Sequence, residues 1–122
     1  MLKKQYRLKN RKAFDATYNL HQVVSNSDLV LYVGKQKTQA DIETKYASVV
    51  SKKYHKRAVK RNRIKRLMRE SVRLILKNNQ FPKLDNYLSC IFMPKTTALD
   101  KNFAQIDQSV KELIERALKK YQ

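Results

Sequence analysis

The pattern of apolar and polar residues along the chain predicts three helices and four strands. The longest periodic segment is 52–77, where apolar residues recur at spacings of three, four and seven, as in an amphipathic helix. We expect this helix to begin near Arg57 and to end before Pro82. The residues predicted to form its buried face, together with Ser71, are Ile64, Leu67, Met68, Val72 and Ile75.

Weaker patterns on both sides of this helix predict the remaining elements. Asn10 could cap a short helix at 11–19, and Asp100 could cap a last helix whose apolar stripe runs over 103–121. The first three strands are close enough in sequence to pair as an antiparallel meander, with a polar loop at 36–43. β-branched and aromatic residues place the four strands at 23–25, 29–35, 45–54 and 86–93.

The resulting order α-β-β-β-α-β-α predicts an α+β sandwich, in which helices pack on a four-stranded sheet. The third strand, the basic helix and the fourth strand would form a β-α-β unit. A single domain over 1–122 would bury about two-thirds of its unfolded surface. We expect the basic segment 1–9 to be poorly ordered.

Cysteine usage and hydropathy restrict the setting of the protein. Cys90 is the only cysteine, so the sequence supports neither a disulfide framework nor a cysteine zinc site. No apolar run approaches the ~20 residues of a membrane span, and no apolar segment follows the basic start as in a secretory signal. We therefore expect a cytoplasmic protein without a membrane partner.

The net charge of +18 points to a polyanionic partner. A solvated surface is the usual explanation for one or two cations on a helix, but a face with one sign of charge destabilises the helix. Phosphates would relieve this repulsion, and counterion release would favour binding. Phe14 and several tyrosines, which could stack on unpaired bases, precede the basic helix. The residues on the basic face are Asn62, Lys65, Arg66, Arg69, Arg73 and Lys77.

Side chains suited to catalysis are scarce. His55 lies among cations without an obvious orienting carboxylate, and the acids are scattered along the chain. A single glycine, Gly34, cannot build a glycine-rich phosphate loop. The composition favours a nucleic-acid-binding protein over a self-sufficient nuclease. Within the nucleic-acid-binding class, the alternatives include a ribosomal or general RNA-binding protein and a DNA-binding protein with the basic helix in the major groove.

The segment RNRIKR at 61–66 resembles the RNR signature of the bacterial ribonuclease P protein subunit. The segment VSKK at 50–53 resembles the end of a strand in that family, and YRLK at 6–9, with Phe14, resembles its N-terminal pattern. This resemblance covers residues 7–94, which makes it far more specific than a lysine-rich patch.

The resemblance implies the protein subunit of a ribonucleoprotein endonuclease that removes the 5′ leader of precursor tRNA. Its partners would be the ribonuclease P RNA and the single-stranded leader, with no small-molecule cofactor. The catalytic centre would lie in the RNA subunit, which would also hold the Mg²⁺ ions, so no catalytic or metal-binding residue is expected in this chain. The resemblance also implies a left-handed β-α-β crossover, against the usual right-handed rule.

The resemblance assigns three groups of site residues. By its position on the helix, Arg61 would either reach towards a cleft or pack structurally, and Asn62 could be a hydrogen-bonding link. The RNR helix would contact the RNA subunit near its metal sites through Arg61, Asn62, Arg63, Lys65, Arg66, Arg69 and Arg73. A leader-binding cleft between sheet and first helix would contain Phe14, Tyr18, Tyr32, Ser51, Lys52 and Lys53. Additional basic contacts would come from Arg7, Lys56 and Arg57.

Overall fold

The computed structural model describes residues 2–39 and 42–121. Within them, the α-helices are α1 (Arg11–Asn19), α2 (Ala58–Lys77) and α3 (Phe103–Lys120). The strands are β1 (Val23–Ser25), β2 (Leu29–Val33), β3 (Lys45–Ser48) and β4 (Ser89–Pro94). Short 3-10 helices cover Lys4–Tyr6, Pro82–Asn86 and Thr96–Ala98. The predicted order and the α+β class are confirmed.

The four strands form one sheet in the order β1-β2-β4-β3. β2 pairs antiparallel with both β1 and β4, whereas β3 and β4 are parallel. The predicted meander of the first three strands is therefore wrong, because β4 lies between β2 and β3. β4 has four consecutive buried residues, Ser89 to Phe92, as expected of a central strand covered on both faces. The β-α-β unit around α2 is present, and its left-handed crossover stays a prediction.

β3 is shorter than its predicted range of 45–54. The last bond that continues its pairing with β4 is from the Val49 amide to the Phe92 carbonyl, at 2.9 Å. The chain then turns, with the Tyr54 amide bonded to the Ser51 carbonyl at 3.1 Å. The Tyr54 hydroxyl donates to the Lys95 carbonyl at 2.8 Å. This long-range bond folds residues 51–54 back into a turn, which a local β propensity could not reveal.

One face of the sheet packs against α2 and α3 to form the hydrophobic core. Leu29, Leu31 and Val33 of β2 point into it, as do Cys90 and Phe92 of β4, and all five are fully buried. Fully burying a Val, Leu or Phe side chain contributes about 1.5–3 kcal/mol. The predicted buried face of α2 is confirmed, although one member, Leu67, is only partly buried; the others are Ile64, Met68, Ser71, Val72 and Ile75.

Side-chain caps define where two of the helices begin. The Asn10 carboxamide oxygen accepts from the Lys12 amide at 2.8 Å, which confirms the predicted cap of α1. The predicted cap of α3, Asp100, is wrong. Asn102 caps α3 by accepting from the Gln105 amide at 2.9 Å, while the Gln105 side chain accepts from the Asn102 amide at 3.0 Å. This is a reciprocal capping box, which satisfies two amides instead of one.

The N-terminal segment packs against the rest of the protein. Leu2 and Leu8 are buried, and the Leu8 amide donates to the Tyr46 carbonyl at the edge of β3, at 2.8 Å. Arg7 Nε donates to the Leu2 carbonyl at 3.0 Å. Residues 2–9 therefore pack against the fold, and the flexibility expected of segment 1–9 stays a prediction. Met1 lies outside the described residues, as does Asp41 of the predicted loop.

None of the helices within residues 2–39 and 42–121 is both long enough and apolar enough to cross a bilayer.

Candidate nucleic-acid interface

On the second face of the sheet, α1 packs against β2 and β4. Thr17 of α1 and Ser89 of β4 share a buried hydrogen bond of 2.5 Å between their hydroxyl oxygens. Gly34 lies directly beside this bond, and a Cβ atom there would collide with Ser89 Oγ. The chain's single glycine therefore allows the close approach between β2, β4 and α1.

Three aromatic side chains meet between α1 and β2. Phe14 and Tyr18 stack with ring centroids 6.4 Å apart, and Tyr18 meets the edge of Tyr32 at 4.9 Å. The Tyr18 hydroxyl also donates to Met93 Sδ at 3.9 Å. Burial, together with the neighbouring Tyr32, raises the pKa of Tyr18, so this tyrosine stays neutral at physiological pH. All three rings are only partly buried and retain surface on which a base can stack.

Tyr46 and Tyr54, which also precede the basic helix, do not join this cluster. Tyr46 is buried in the core, and this burial raises its pKa strongly. Tyr54 is committed to its bond with the Lys95 carbonyl. Met93, by contrast, belongs to the cluster, and no sequence pattern marked it. Period-two alternation along β4 could have placed it on the same face as Ser89.

A groove of about 280 Å³ runs between α1, β3 and α2, and we call it the α1–α2 groove. Phe14 of α1 forms one side, and Lys65 and Arg69 of α2 form the other. Arg7 and Lys9 from the N-terminal segment also line it. The structure thus brings an aromatic residue of the predicted cleft beside cations of the predicted RNR helix. Lys9 was missed because nothing in the sequence indicated that 2–9 pack against β3.

The remaining residues of the predicted cleft lie in the exposed turn after β3. Ser51, Lys52 and Lys53 are exposed, and Val49 and Val50 line the α1–α2 groove in their place. The turn leads directly to Lys56 and Arg57 at the start of α2, which are exposed as well. These cations surround a helix N-terminus whose macrodipole is also positive, an arrangement that favours a bound anion.

The two arginines of the RNR segment are bonded to main-chain carbonyls. Arg61 Nη1 donates to the carbonyls of His55 and Lys56, at 2.6 and 3.1 Å. Arg63 donates through Nη1 to the Leu99 carbonyl at 3.1 Å and through Nη2 to the Lys101 carbonyl at 2.9 Å. Arg61 therefore packs structurally against the chain before α2 and does not reach towards the cleft. Both arginines hold neighbouring loops against α2.

Other polar residues of α2 are directed outwards. Asn62 and Arg66 are exposed, and Lys65 and Arg69 are partly exposed. Arg73 differs, because its guanidinium bonds to Glu70 through Nε at 3.0 Å and Nη2 at 2.5 Å. The hydrogen bond from Arg73 lowers the pKa of Glu70, so this acid is charged at neutral pH. Glu70 thus offsets the charge of Arg73 but not the charges nearer the start of α2.

Comparison with known proteins identifies the family. A family model described as Ribonuclease P matches residues 2–118. The chain belongs to the ribonuclease P protein family. It is 39% identical over 116 residues to the ribonuclease P protein component of Symbiobacterium thermophilum, covering 95% of this chain and 94% of that protein. It is 38% identical over 112 residues to that of Clostridium kluyveri, covering 92% and 94%.

A solved structure supports the same assignment. The Staphylococcus aureus RNase P protein superposes with a TM-score of 0.70 at 26% identity, covering 95% of this chain and 96% of that one. The predicted family is therefore confirmed. Membership in the ribonuclease P protein family implies a role in tRNA processing within an endoribonuclease complex, with the ribonuclease P RNA as partner.

The side chains that could hold a metal ion are dispersed in this ribonuclease P family member. Across the described ranges, no three His, Cys, Asp or Glu side chains lie close enough together to hold a metal ion. The predicted interface presents cations, which do not suit Mg²⁺, a metal that prefers carboxylate and phosphate oxygens. Burial raises the pKa of the Cys90 thiol to about 12, so it is not a reactive nucleophile.

Proposed function

We propose that this protein binds both the single-stranded 5′ leader of precursor tRNA and the ribonuclease P RNA, and so supports cleavage by the RNA subunit. The observation that carries this proposal is the α1–α2 groove. Phe14, Lys65 and Arg69 all line this cleft of about 280 Å³. A surface that combines an aromatic ring with cations is suited to an unpaired strand, whose bases stack and whose phosphates pair with the cations.

The leader would be bound by the aromatic cluster and the cations beside it. Stacking on Phe14, Tyr18 or Tyr32 is worth about 1–3 kcal/mol per base and tolerates any base, because every base has a π-face. Lys9 is exposed in the same groove and would neutralise phosphates, as would Arg7 through the two guanidinium nitrogens that are not bonded to the Leu2 carbonyl. Such binding suits leaders of varied sequence. Lys52 and Lys53 would contact a strand that extends past the groove towards the turn after β3.

The RNA subunit would be bound by the outward residues of α2 and the turn before it. Lys56, Arg57, Asn62 and Arg66 are exposed on this side and free of contacts to acids among the described residues. Each phosphate neutralised releases condensed counterions, so affinity would fall steeply with salt. Arg61 and Arg63 would contribute indirectly, by keeping the loops next to α2 in place.

The hydrolytic chemistry would belong to the RNA subunit and to Mg²⁺ held by that RNA. When bound there, Mg²⁺ would polarise the scissile phosphate and activate water. The cations of α2 would bring RNA phosphates together near those sites by reducing their mutual repulsion. The protein itself would bind no cofactor. A cytoplasmic location is part of the proposal, since a lone, buried Cys90 needs no oxidising compartment.

The test is cleavage of precursor tRNA by ribonuclease P RNA at low Mg²⁺, with and without the protein. Substrates with a long and with a truncated leader should be compared. We expect strong stimulation that fades when the leader is cut. Stimulation independent of the leader would refute leader binding but keep the RNA-subunit role. No stimulation with several ribonuclease P RNAs would refute the proposal and favour a general RNA-binding protein.

A further inference from the structure

A second basic groove lies between the N-terminal segment and the last part of α2, and we call it the N-terminal groove. It has a volume of about 490 Å³. We propose that it binds an unpaired RNA nucleotide, with the base against Tyr6 and the phosphates on Lys3 and Lys77. This rests on the proposed function, to which it adds a separate binding site. The residues that line the groove are Leu2, Lys3, Tyr6, Arg73, Leu76 and Lys77.

The charges of the N-terminal groove suit a phosphate. Three of its six lining residues are cations, and since Glu70 offsets the charge of Arg73, the phosphate would be bound by Lys3 and Lys77. Lys3 and Lys77 are exposed, so neither is committed to the core. A cation in the last turn of a helix, such as Lys77, is also favoured by the helix dipole. Lys3 has no such local explanation, since it precedes a 3-10 helix of only three residues.

The groove is preformed by the packing of the N-terminal segment. Leu2 is buried and Leu76 is partly buried. Tyr6 ends the 3-10 helix and is itself partly buried, so its ring has little freedom left to lose. Arg7 Nε holds the Leu2 carbonyl at 3.0 Å, and Lys45 Nζ bonds to the Gln5 carbonyl. A ring held in place loses less conformational entropy when a base stacks on it.

The N-terminal groove continues the α1–α2 groove along one stripe of α2. Lys65 and Arg69 line the first groove, Arg73 and Lys77 line the second, and Leu2 borders both. The four cations follow one another at intervals of four residues, which places them on one face over about 18 Å. Glu70 offsets the charge of Arg73, but Lys65 and Arg69 have no ion pair with a described acid, and like charges at this spacing destabilise a helix. An RNA strand along the stripe would remove that repulsion and pass from one groove into the other.

Binding measurements with the full-length protein test this proposal. Its dissociation constant is measured for ribonuclease P RNA alone and for that RNA with bound precursor tRNA, each over a salt series. The association constant K falls as salt rises, and the double variant K3A/K77A should make the plot of log K against log[salt] less steep by about 1.4. This corresponds to about 0.7 for each single-strand phosphate that is no longer neutralised. The control K83A/K119A removes two exposed lysines outside the groove and should keep the wild-type slope.

Substitutions of Tyr6 test the stacking. Tyr6→Ala should weaken binding by about 5- to 150-fold if a base stacks there, whereas Tyr6→Phe should bind as the wild type does. Circular dichroism establishes that each variant is folded. If Tyr6→Ala unfolds, the slope of K3A/K77A decides the matter, because both lysines are exposed.

The outcomes separate this proposal from the proposed function. A loss seen with the RNA subunit alone supports a nucleotide of that subunit in the groove, and a loss seen only with leader-bearing precursor supports the substrate. Wild-type slope and affinity in both groove variants, with binding still reduced in Arg66→Ala, would overturn the groove and leave the proposed function intact. A wild-type protein that does not bind ribonuclease P RNA would overturn both.

Discussion

Arginines close together along α2 have opposite surroundings. Arg61 and Arg63 donate to four main-chain carbonyls between them, at 2.6–3.1 Å. Arg66 is exposed and Arg69 lines the α1–α2 groove, and no ion pair to a described acid involves either. The same residue type therefore serves two purposes within one helix. A carbonyl-bound guanidinium stabilises the fold, and a solvated one remains available to phosphate.

The largest effect on stability is expected at Arg63. Arg63→Ala would leave the carbonyls of Leu99 and Lys101 without their charged donor, and hydrogen bonds to charged groups contribute about 1.5–3 kcal/mol each. We expect the free energy of unfolding to fall by about 2–3 kcal/mol, since the site is partly exposed. Urea denaturation measures it, with Arg63→Lys as the matched control. A stability unchanged in Arg63→Ala would show that the two bonds do not hold the loop.

Phe14 tests the function of the groove that Arg69 lines. Phe14→Ala should cost about 1–3 kcal/mol of leader binding if a base stacks on the ring. The measurement compares the affinity of the ribonuclease P RNA–protein complex for precursor tRNA with long and truncated leaders. Because Phe14 also stacks on Tyr18, stability must be measured in parallel. Unfolding of the variant would favour a purely structural role for the ring.

Asp28 gives a pH dependence to the loop that Arg63 holds. Burial raises the pKa of Asp28, but the neighbouring hydroxyls of Thr97 and Ser109 and the ammonium group of Lys101 lower it more. Lys101 Nζ lies 3.3 Å from Asp28 Oδ2. Because the folded-state pKa is the lower one, this stabilisation is fully present above the unfolded-state pKa of about 4 and is lost as the pH falls through the folded-state value.

Unfolding free energies between about pH 5 and pH 2 measure this contribution. Asp28→Asn should flatten the pH dependence over that window, with Asp15→Asn on the exposed side of α1 as the matched control. An equal flattening by both variants would mean that the dependence does not come from the Asp28–Lys101 pair.

The smallest effect on stability is expected at Arg66. Arg66→Ala should change the free energy of unfolding by no more than about 0.5 kcal/mol, as is usual for an exposed position. It should lower the salt slope of RNA binding by about 0.7–0.9 if the guanidinium neutralises one phosphate. A salt titration with ribonuclease P RNA measures this. An unchanged slope would place Arg66 away from phosphate and weaken the contrast with Arg63.

Local patterns predicted the elements well, because each depends on a few neighbouring residues. The buried face of α2, from Ile64 to Ile75, follows from helical periodicity alone, and Asn10 was identified as a cap by its residue type and position. The cap of α3 was missed, although Asn102 and Gln105 have capping-box spacing. The aromatic residues Phe14, Tyr18 and Tyr32 were assigned through the family resemblance, and their contact with one another is a finding of the structure.

The sequence by itself determined the order of the elements, the basic face of α2 and the family, because periodicity, charge and a long motif are local properties. Only the tertiary structure decided that β4 lies between β2 and β3, since sheet order depends on contacts between distant segments. The tertiary structure also decided that Arg61 and Arg63 donate to main-chain carbonyls, whereas Arg66 is exposed and Arg69 lines the α1–α2 groove. What a guanidinium does depends on whether folding brings carbonyls within hydrogen-bonding distance, and no spacing along one helix specifies that.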